Sequence, residues 1–333
     1  MRESRLRLLF CGTPSFAVPS LKHLLDQPDF EVAAVITQPD RPRGRGQAIS
    51  CSAVKEAAVA KNLRIFQPER IRAADSEHFL REASPDVVVI IAYGQIIPAR
   101  LLGIPRLGWI NLHASLLPKY RGAAPIQWAI AKGEMTTGVT SMRIDAGMDT
   151  GDILLQRVTA VGPEESAPQL AERLAGLGAP LMAETLRGLR AGTLRPAPQD
   201  HAAATLAPLL KKEDGRIVWS EPAQFIYNRM RAFTPWPGAY SLFRGTPCQL
   251  LGEPVSSTPE SSLGGTAALS HATFDVPRDS VPGTIYYVRG QLIVCCGQQS
   301  LLRLARVKLE GRKEVAAPDF ANGAHIRPGE QFS

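Results

Sequence analysis

The chain has 333 residues, which is long for one ordinary hydrophobic core and suits two domains. Hydrophobic residues make up 44% and charged residues 21%, so a folded, soluble globular protein is expected rather than a disordered one. The net charge of +7 becomes an argument for an anionic partner only where the basic residues cluster; spread evenly it means solubility alone.

In chain order, RLRLLFCG (5–12) reads as a buried strand ending in glycine, and 16–26 as a helix whose start is set near Pro19. EVAAVITQ (31–38) is a second strand and SAVKEAAVAKN (52–62) an alanine-rich helix of period 3.6. RIF (64–66) is a short strand. DVVVIIAYG (86–94) has the near-continuous Val/Ile character of a strand buried on both faces of a parallel sheet. LGWINLH (107–113) is the next strand, APIQWAIAKG (124–133) a helix, TGVTSMRI (137–144) and DILLQRV (152–158) two more strands, and 166–192 a long helix containing glycines. Strands alternating with helices predict an open α/β sheet, with ligands outside the carboxyl ends of its strands. Gly12, Gly94 and His113 all fall at such ends.

The pattern changes after about residue 190. Residues 195–208, with three prolines and no apolar period, read as a linker. Beyond them come short strand-like pieces (GRIVW, AYSLF, CQLLG, GTIYYVRGQLIVCCG, SLLRLARVKL), Gly/Pro turns and a helix near 221–232, the pattern of a small β-barrel or sandwich. Residues 256–280 are a polar insertion, expected as a flexible loop. No apolar run reaches the length of about 18 residues that a membrane span needs, and the N-terminal apolar run is too short for a signal peptide. The five cysteines are odd in number and show neither a CxxC pair nor zinc-ligand spacing, which points to a reducing cytoplasm without disulfides or structural zinc. Of the neighbours Cys295 and Cys296, at least one is expected in a core.

Two features carry chemistry. Asn111 and His113, at positions i and i+2, share a face at the end of a buried strand. Such a polar pair is costly unless it is satisfied by nearby backbone or at work. Histidine can exchange a proton near neutral pH and asparagine can donate to a developing oxyanion. The loop RIDAGMDTGDIL (143–154) offers Asp145, Asp149 and Asp152 but lacks calcium-loop spacing, so Asp149 reads better as the carboxylate that orients His113 than as a metal ligand. The second feature is TQPDRPRGRGQAISC (37–51), a long loop with Arg41, Arg43 and Arg45 among glycines. A solvated face is its plainer reading; contact with a phosphate backbone near the site is the functional one. It is not a P-loop, and the CGTPSF turn lacks the GxGxxG of a dinucleotide fold.

Together, FCGTPSFAVPSL (10–21), TQPDRPRGRGQ (37–47), AYGQIIP (92–98), INLHASLLPKYRGAAPIQWAI (110–130), GVTSMRIDAGMDTGDIL (138–154), RAFTPWPGAY (231–240) and PGTI (282–285) resemble the methionyl-tRNA formyltransferase family within the folate-dependent formyltransferases. The resemblance implies an open, mostly parallel Rossmann-like sheet over 1–192, a linker at 193–208 and a smaller OB-like β-barrel at 209–333. It implies transfer of a formyl group from 10-formyltetrahydrofolate to the amino group of methionyl-initiator tRNA, without a metal, by a cytoplasmic monomer. Its catalytic triad falls on Asn111, His113 and Asp149. Its folate pocket falls near Ala92, Tyr93, Gly94, Gln95 and Ile96, with Ser115, Leu116, Leu117, Pro118 and Asp145. Its tRNA-contacting loop falls on Arg41, Arg43 and Arg45. Val218 stands where the family commonly has Asp, a departure in the second domain.

The basic run Arg303, Arg306, Lys308, Arg312 and Lys313, holding one acid, Glu310, is expected to contact tRNA phosphates, with a solvated strand face as the alternative. Arg121 is a candidate for facing an anionic part of the substrate. Three other activities stay open at this point: formyl transfer to a small amine such as a nucleotide sugar, hydrolysis of formyl-folate, and RNA binding without catalysis.

Overall fold

The computed structural model describes residues 5–43, 48–255, 274, 276–277 and 279–333. The chain forms two units. The first takes in residues up to Ile126, Met135–Gly162 and Pro168–Pro208; the second takes in Gln127–Glu134, Pro163–Ala167 and Leu209–Ser333. Residues 193–208, expected as a linker, thus run with the first unit.

The first unit begins with β1 (Leu6–Gly12), α1 (Val18–Leu25), β2 (Phe30–Ile36), a small hairpin of β3 (Arg41–Arg43) and β4 (Ala48–Ser50), α2 (Ala53–Ala60) and β5 (Ile65–Phe66). Then come α3 (Ala74–Ala83), β6 (Val87–Ile91), α4 (Ala99–Leu102), β7 (Trp109–His113), α5 (Pro125–Ala131, whose residues from Gln127 on belong to the second unit), β8 (Thr136–Arg143), β9 (Ile153–Ala160) and α6 (Ala167–Ala191). Sequence periodicity assigns nothing to α3. Its buried face is Ser76, Phe79, Leu80 and Ala83, half of them too small or too polar to draw an apolar stripe.

The main sheet runs β5-β2-β1-β6-β7-β8-β9. β5 to β7 are parallel, and β8 and β9 are antiparallel additions. From β1 the chain builds outward to β2 and β5, then returns to the other side of β1 with β6. That reversal makes a crevice at the carboxyl ends of β1 and β6, the place where open α/β sheets take their ligands. All five residues of β6 are buried, as its Val/Ile run requires. α6 lies so close to β7 that a Cβ on Gly178 would come 2.3 Å from Leu112 Cδ2. Leu112 thereby anchors β7 on one face of the sheet, while Asn111 and His113 alternate to the other.

The second unit contains α7 (Ala223–Ala232), β10 (Tyr240–Phe243), β11 (Thr246–Pro254), β12 (Ile285–Val288), β13 (Gln291–Cys295), β14 (Leu301–Leu309), β15 (Val315–Ala316) and α8 (Ala317–Ala324). Its strand order is β10-β11-β14-β13-β12, with β15 beside β14. These strands alone leave the ring open. The last residues span the gap: Leu242 exchanges backbone hydrogen bonds with Ser333 at 2.8 and 3.0 Å, Glu330 O accepts from Ile285 at 2.8 Å and Gly283 O accepts from Phe332 at 3.0 Å. Ile226, Met230, Phe243, Leu250, Val294, Val307, Phe320 and Phe332 belong to the core inside. The GRIVW piece is not a strand; only Arg216 bridges Tyr240, with Ile217 N–H donating to Tyr240 O at 2.8 Å. Cys295 and Cys296 are both buried. The expectation of a flexible 256–280 loop falls largely outside the described residues.

Candidate active site

β7 delivers Asn111 and His113 to the carboxyl edge of the sheet. His113 is buried, with Nε2 2.8 Å from the Tyr120 carbonyl oxygen and Nδ1 3.6 Å from Asp149 Oδ2. A carbonyl only accepts, so Nε2 carries a hydrogen and Nδ1 is the nitrogen left for proton exchange. Asp149 arrives on the β8–β9 loop in the left-handed region, at φ 53°, and its Oδ2 also accepts from the Gly122 N–H at 2.9 Å. Asn111 is half-buried, and its side-chain amide has no hydrogen-bond partner among the described residues. That leaves its two N–H groups available to a substrate oxygen.

The β8–β9 loop uses its two expected aspartates differently. Asp145 accepts from the Gly147 N–H at 3.0 Å and from Thr150 Oγ at 2.7 Å, so it builds the turn that carries Asp149. The turn is tight: a Cβ on Gly151 would lie 2.0 Å from the Arg143 carbonyl oxygen.

On the far side of the crevice, Ala92, Gly94 and Ile96 are exposed while Tyr93 and Ile97 are buried. Ala92 and Gly94 turn the chain at φ 47° and 87°. The Tyr93 carbonyl accepts from Thr13 Oγ and Gln38 Nε2, both at 3.1 Å. The Gln95 amide accepts from Ile71 N–H at 2.7 Å and donates to Glu69 O at 3.2 Å. Gln95 and Tyr93 therefore hold the loop. Tyr93 packs among Cys11, Ile71, Phe79 and Trp109, and burial pushes its hydroxyl pKa far above the usual tyrosine range. What the loop presents outward is backbone at alternate residues and the Ile96 side chain.

The Ser115–Pro118 turn forms the floor. Ser115 Oγ donates to Lys119 O at 2.6 Å, and Ser115 O accepts from Thr140 Oγ at 2.7 Å. Gln156 Nε2 donates to Leu117 O and to Thr140 Oγ, both at 2.9 Å. Leu117 is buried; Leu116 and Pro118 are half-buried. Thr140 and Gln156 were not singled out from sequence, where alternation on β8 and β9 marks them only as one face of a strand.

Arg121 is tied up inside the protein. It is 7% exposed, and its guanidinium donates to Gln199 Oε1 at 3.1 and 2.7 Å and lies 3.2 Å from His201 Nδ1. Among the described residues no cluster of acids, histidines and cysteines could hold a metal, and no helix is long and apolar enough to cross a membrane.

The expected tRNA residues are more dispersed. Arg41 is exposed, 3.7 Å from Glu69. Arg43 closes β3, and its side chain and all of Arg45 lie outside the described residues. On β14, Arg303 pairs with Glu253 and Arg306 with Glu314, while Lys308 is exposed.

The formyl transferase family model matches residues 5–186, and the model for the formyl transferase C-terminal domain matches residues 209–325. Both halves of the chain are therefore formyl transferase domains. The methionyl-tRNA formyltransferase of Solibacter usitatus is 52% identical over 327 residues, covering 98% of each chain. That of Koribacter versatilis is 48% identical over 319 residues, covering 95% of each. The chain belongs to the methionyl-tRNA formyltransferase family. Among solved structures, the sugar 3N-formyl transferase WlaRD, determined in the presence of dTDP and 5-N-formyl-THF, is similar with a TM-score of 0.63 at 18% identity, over 92% of this chain and 99% of that one. HypX from Aquifex aeolicus in complex with tetrahydrofolic acid aligns with a TM-score of 0.58 at 17% identity, over 96% of this chain and 47% of that one. At such identities these two bear on the fold alone.

Proposed function

We infer that this chain transfers the formyl group of 10-formyltetrahydrofolate to the free amino group of methionyl-initiator tRNA. The observation that carries the reading is the edge of β7: Asn111 and His113 on one face, with Asp149 Oδ2 3.6 Å from His113 Nδ1, in a chain 52% identical to a methionyl-tRNA formyltransferase.

The chemistry asks little more of the protein. The donor is an activated formamide, so no covalent nucleophile is needed. Four of the five cysteines are buried, and burial raises their thiol pKa, which suits core residues rather than thiolates. The amine nitrogen adds to the formyl carbon and must lose one proton; the folate nitrogen N10 must gain one as its bond to that carbon breaks. His113 Nδ1, directly or through a water, is placed to take the first proton and return it. The Tyr120 carbonyl orients the ring through Nε2–H, and Asp149 accepts from Nδ1 and balances the charge once Nδ1 is protonated. The Asn111 amide donates to the formyl oxygen as it becomes negative. The crevice beside it suits a planar pterin: Ala92, Gly94 and Ile96 offer backbone edges and one apolar side chain over the Ser115–Pro118 floor, with Asp145 setting the adjoining turn.

Arg41, Arg43 and Arg45 would meet the acceptor end of the tRNA, and Arg303, Arg306 and Lys308 its phosphates farther along. Arg303 and Arg306 would exchange a carboxylate partner for a phosphate.

The test is formyl transfer measured side by side with charged initiator tRNA, uncharged tRNA, a small amine such as an amino sugar nucleotide, and water. Transfer to charged initiator tRNA is expected. Transfer to the small amine alone, or release of formate alone, would overturn the reading.

A further inference from the structure

Gln199 is a buried polar side chain in a stretch whose sequence, RPAPQDHAAATLAP, announces only a connection. It is 6% exposed and makes four hydrogen bonds. Its Nε2 donates to the carbonyl oxygens of Asp149 at 2.9 Å and Gly151 at 2.7 Å. Its Oε1 accepts twice from Arg121, at 3.1 and 2.7 Å. The amide orientation is fixed by its neighbours, because guanidinium only donates and carbonyls only accept.

These contacts meet on one residue. Asp149 sits at φ 53°, in the left-handed region that aspartate enters more readily than most residues, and hydrogen bonds to its carbonyl and its carboxylate hold it there. Gln199 holds its carbonyl from behind, and Gly122 N–H holds its carboxylate from in front. Tyr120, Arg121 and Gly122 are consecutive, so one tripeptide supplies Tyr120 O to His113, the Arg121 side chain to Gln199, and Gly122 N–H to Asp149. The segment after Gln199 locks that tripeptide in turn. Arg121 N–H donates to Thr205 O at 2.8 Å, Ala207 N–H to Arg121 O at 2.7 Å and Tyr120 N–H to Thr205 Oγ at 2.8 Å. Arg121 is a buried cation with no ion-pair partner among the described residues, so its guanidinium depends on neutral acceptors such as Gln199 Oε1.

We propose that Gln199, braced by Arg121, is a positioning residue for the reaction: it sets the backbone of Asp149 and hence the distance from its carboxylate to His113. The inference rests on the role given to Asp149 above. Glutamate at 199 keeps the size and the Arg121 contact but turns oxygens toward two carbonyls. Methionine keeps the volume and loses all four hydrogen bonds without adding charge. A misplacement of about 1 Å in a reacting constellation can cost about 100-fold in rate.

The experiment measures kcat and KM for folate and charged tRNA in Gln199→Glu, Gln199→Met, Asp149→Ala and the double variant Gln199→Glu/Asp149→Ala, with folding checked by circular dichroism. Both Gln199 variants are expected to lose between about tenfold and about 100-fold in kcat with both KM values unchanged. Adding Gln199→Glu to Asp149→Ala is expected to cost nothing further. Wild-type kcat in a folded Gln199 variant, or losses that multiply in the double variant, would overturn the proposal. Wild-type kcat in Asp149→Ala would instead overturn the role of Asp149 itself. If Gln199→Glu does not fold, Gln199→Met carries the same comparison alone and paired with Asp149→Ala.

Discussion

The carboxyl edge of the first sheet and strand β14 of the second unit both gather polar side chains, and they treat them in opposite ways. At the sheet edge, His113, Ser115, Arg121, Thr140 and Gln199 are buried, and each has named partners from a different stretch of chain. On β14, Arg303 is half-buried and Arg306 exposed, and they pair with Glu253 and Glu314. A buried network holds its members to a geometry, because each unmade hydrogen bond costs the full desolvation of its group. An exposed ion pair is worth little, is screened by salt and gives way to a better anion. One region is suited to aligning atoms and the other to gripping and releasing a long polyanion.

The largest effect that could break this contrast lies at the edge itself. Asn111→Ala and His113→Ala should each lower single-turnover formyl transfer by about 100-fold or more, with both substrates still bound, as loss of an oxyanion donor or proton relay does. A near-normal rate in His113→Ala would mean that Nδ1 moves no proton. Next comes Gly122→Ala. The residue sits at φ 119° and a Cβ would lie 2.7 Å from the Ala207 carbonyl oxygen. Urea unfolding should show a loss on the order of 2 kcal/mol from backbone strain, and kcat should fall with it because the Gly122 N–H holds Asp149.

On β14 the expected effects are smaller and depend on salt. Lys308→Ala should lower the slope of log affinity for tRNA against log salt by about one, the signature of one lost phosphate contact. Glu253→Gln should tighten tRNA binding at low salt by releasing Arg303. An unchanged slope in the first would leave β14 a solvated face. The smallest effect is on acid stability. Arg187, hydrogen-bonded to Asp29 at 2.8 and 2.9 Å, holds that carboxyl below the ordinary aspartate range. The pair's contribution is thus present above the ordinary aspartate pKa and fades as pH falls through the lowered folded value. Asp29→Asn should flatten the acid side of a stability–pH curve measured by thermal unfolding.

Much of the first sheet is legible in sequence because burial on both faces writes itself as unbroken runs such as Val87–Ile91. Asn111 and His113 are legible for the opposite reason, as polar residues breaking such a pattern at a strand end. α3 is hidden by its small and polar buried positions. Gln199 is hidden more deeply, since its four hydrogen bonds go to three residues at sequence distances of 48 to 78 and leave no local pattern. Arg121 looks like a ligand-facing cation in sequence and is instead buried in that network. The Arg303–Lys308 run shows its charges in sequence but not the carboxylates that Glu253 and Glu314 bring to it.

The stretch from Gln199 to Ala207 has one more consequence, for exchange of parts between relatives. It completes the first unit's active edge and is also the covalent lead into the second unit, which resumes at Leu209. A crossover near residue 193 would finish one protein's Asp149 loop with another protein's glutamine, threonine and backbone. A crossover beyond Pro208 would carry the whole edge across intact. The seam that keeps the Asp149 loop with its own glutamine therefore lies after the stretch that composition alone marks as the linker.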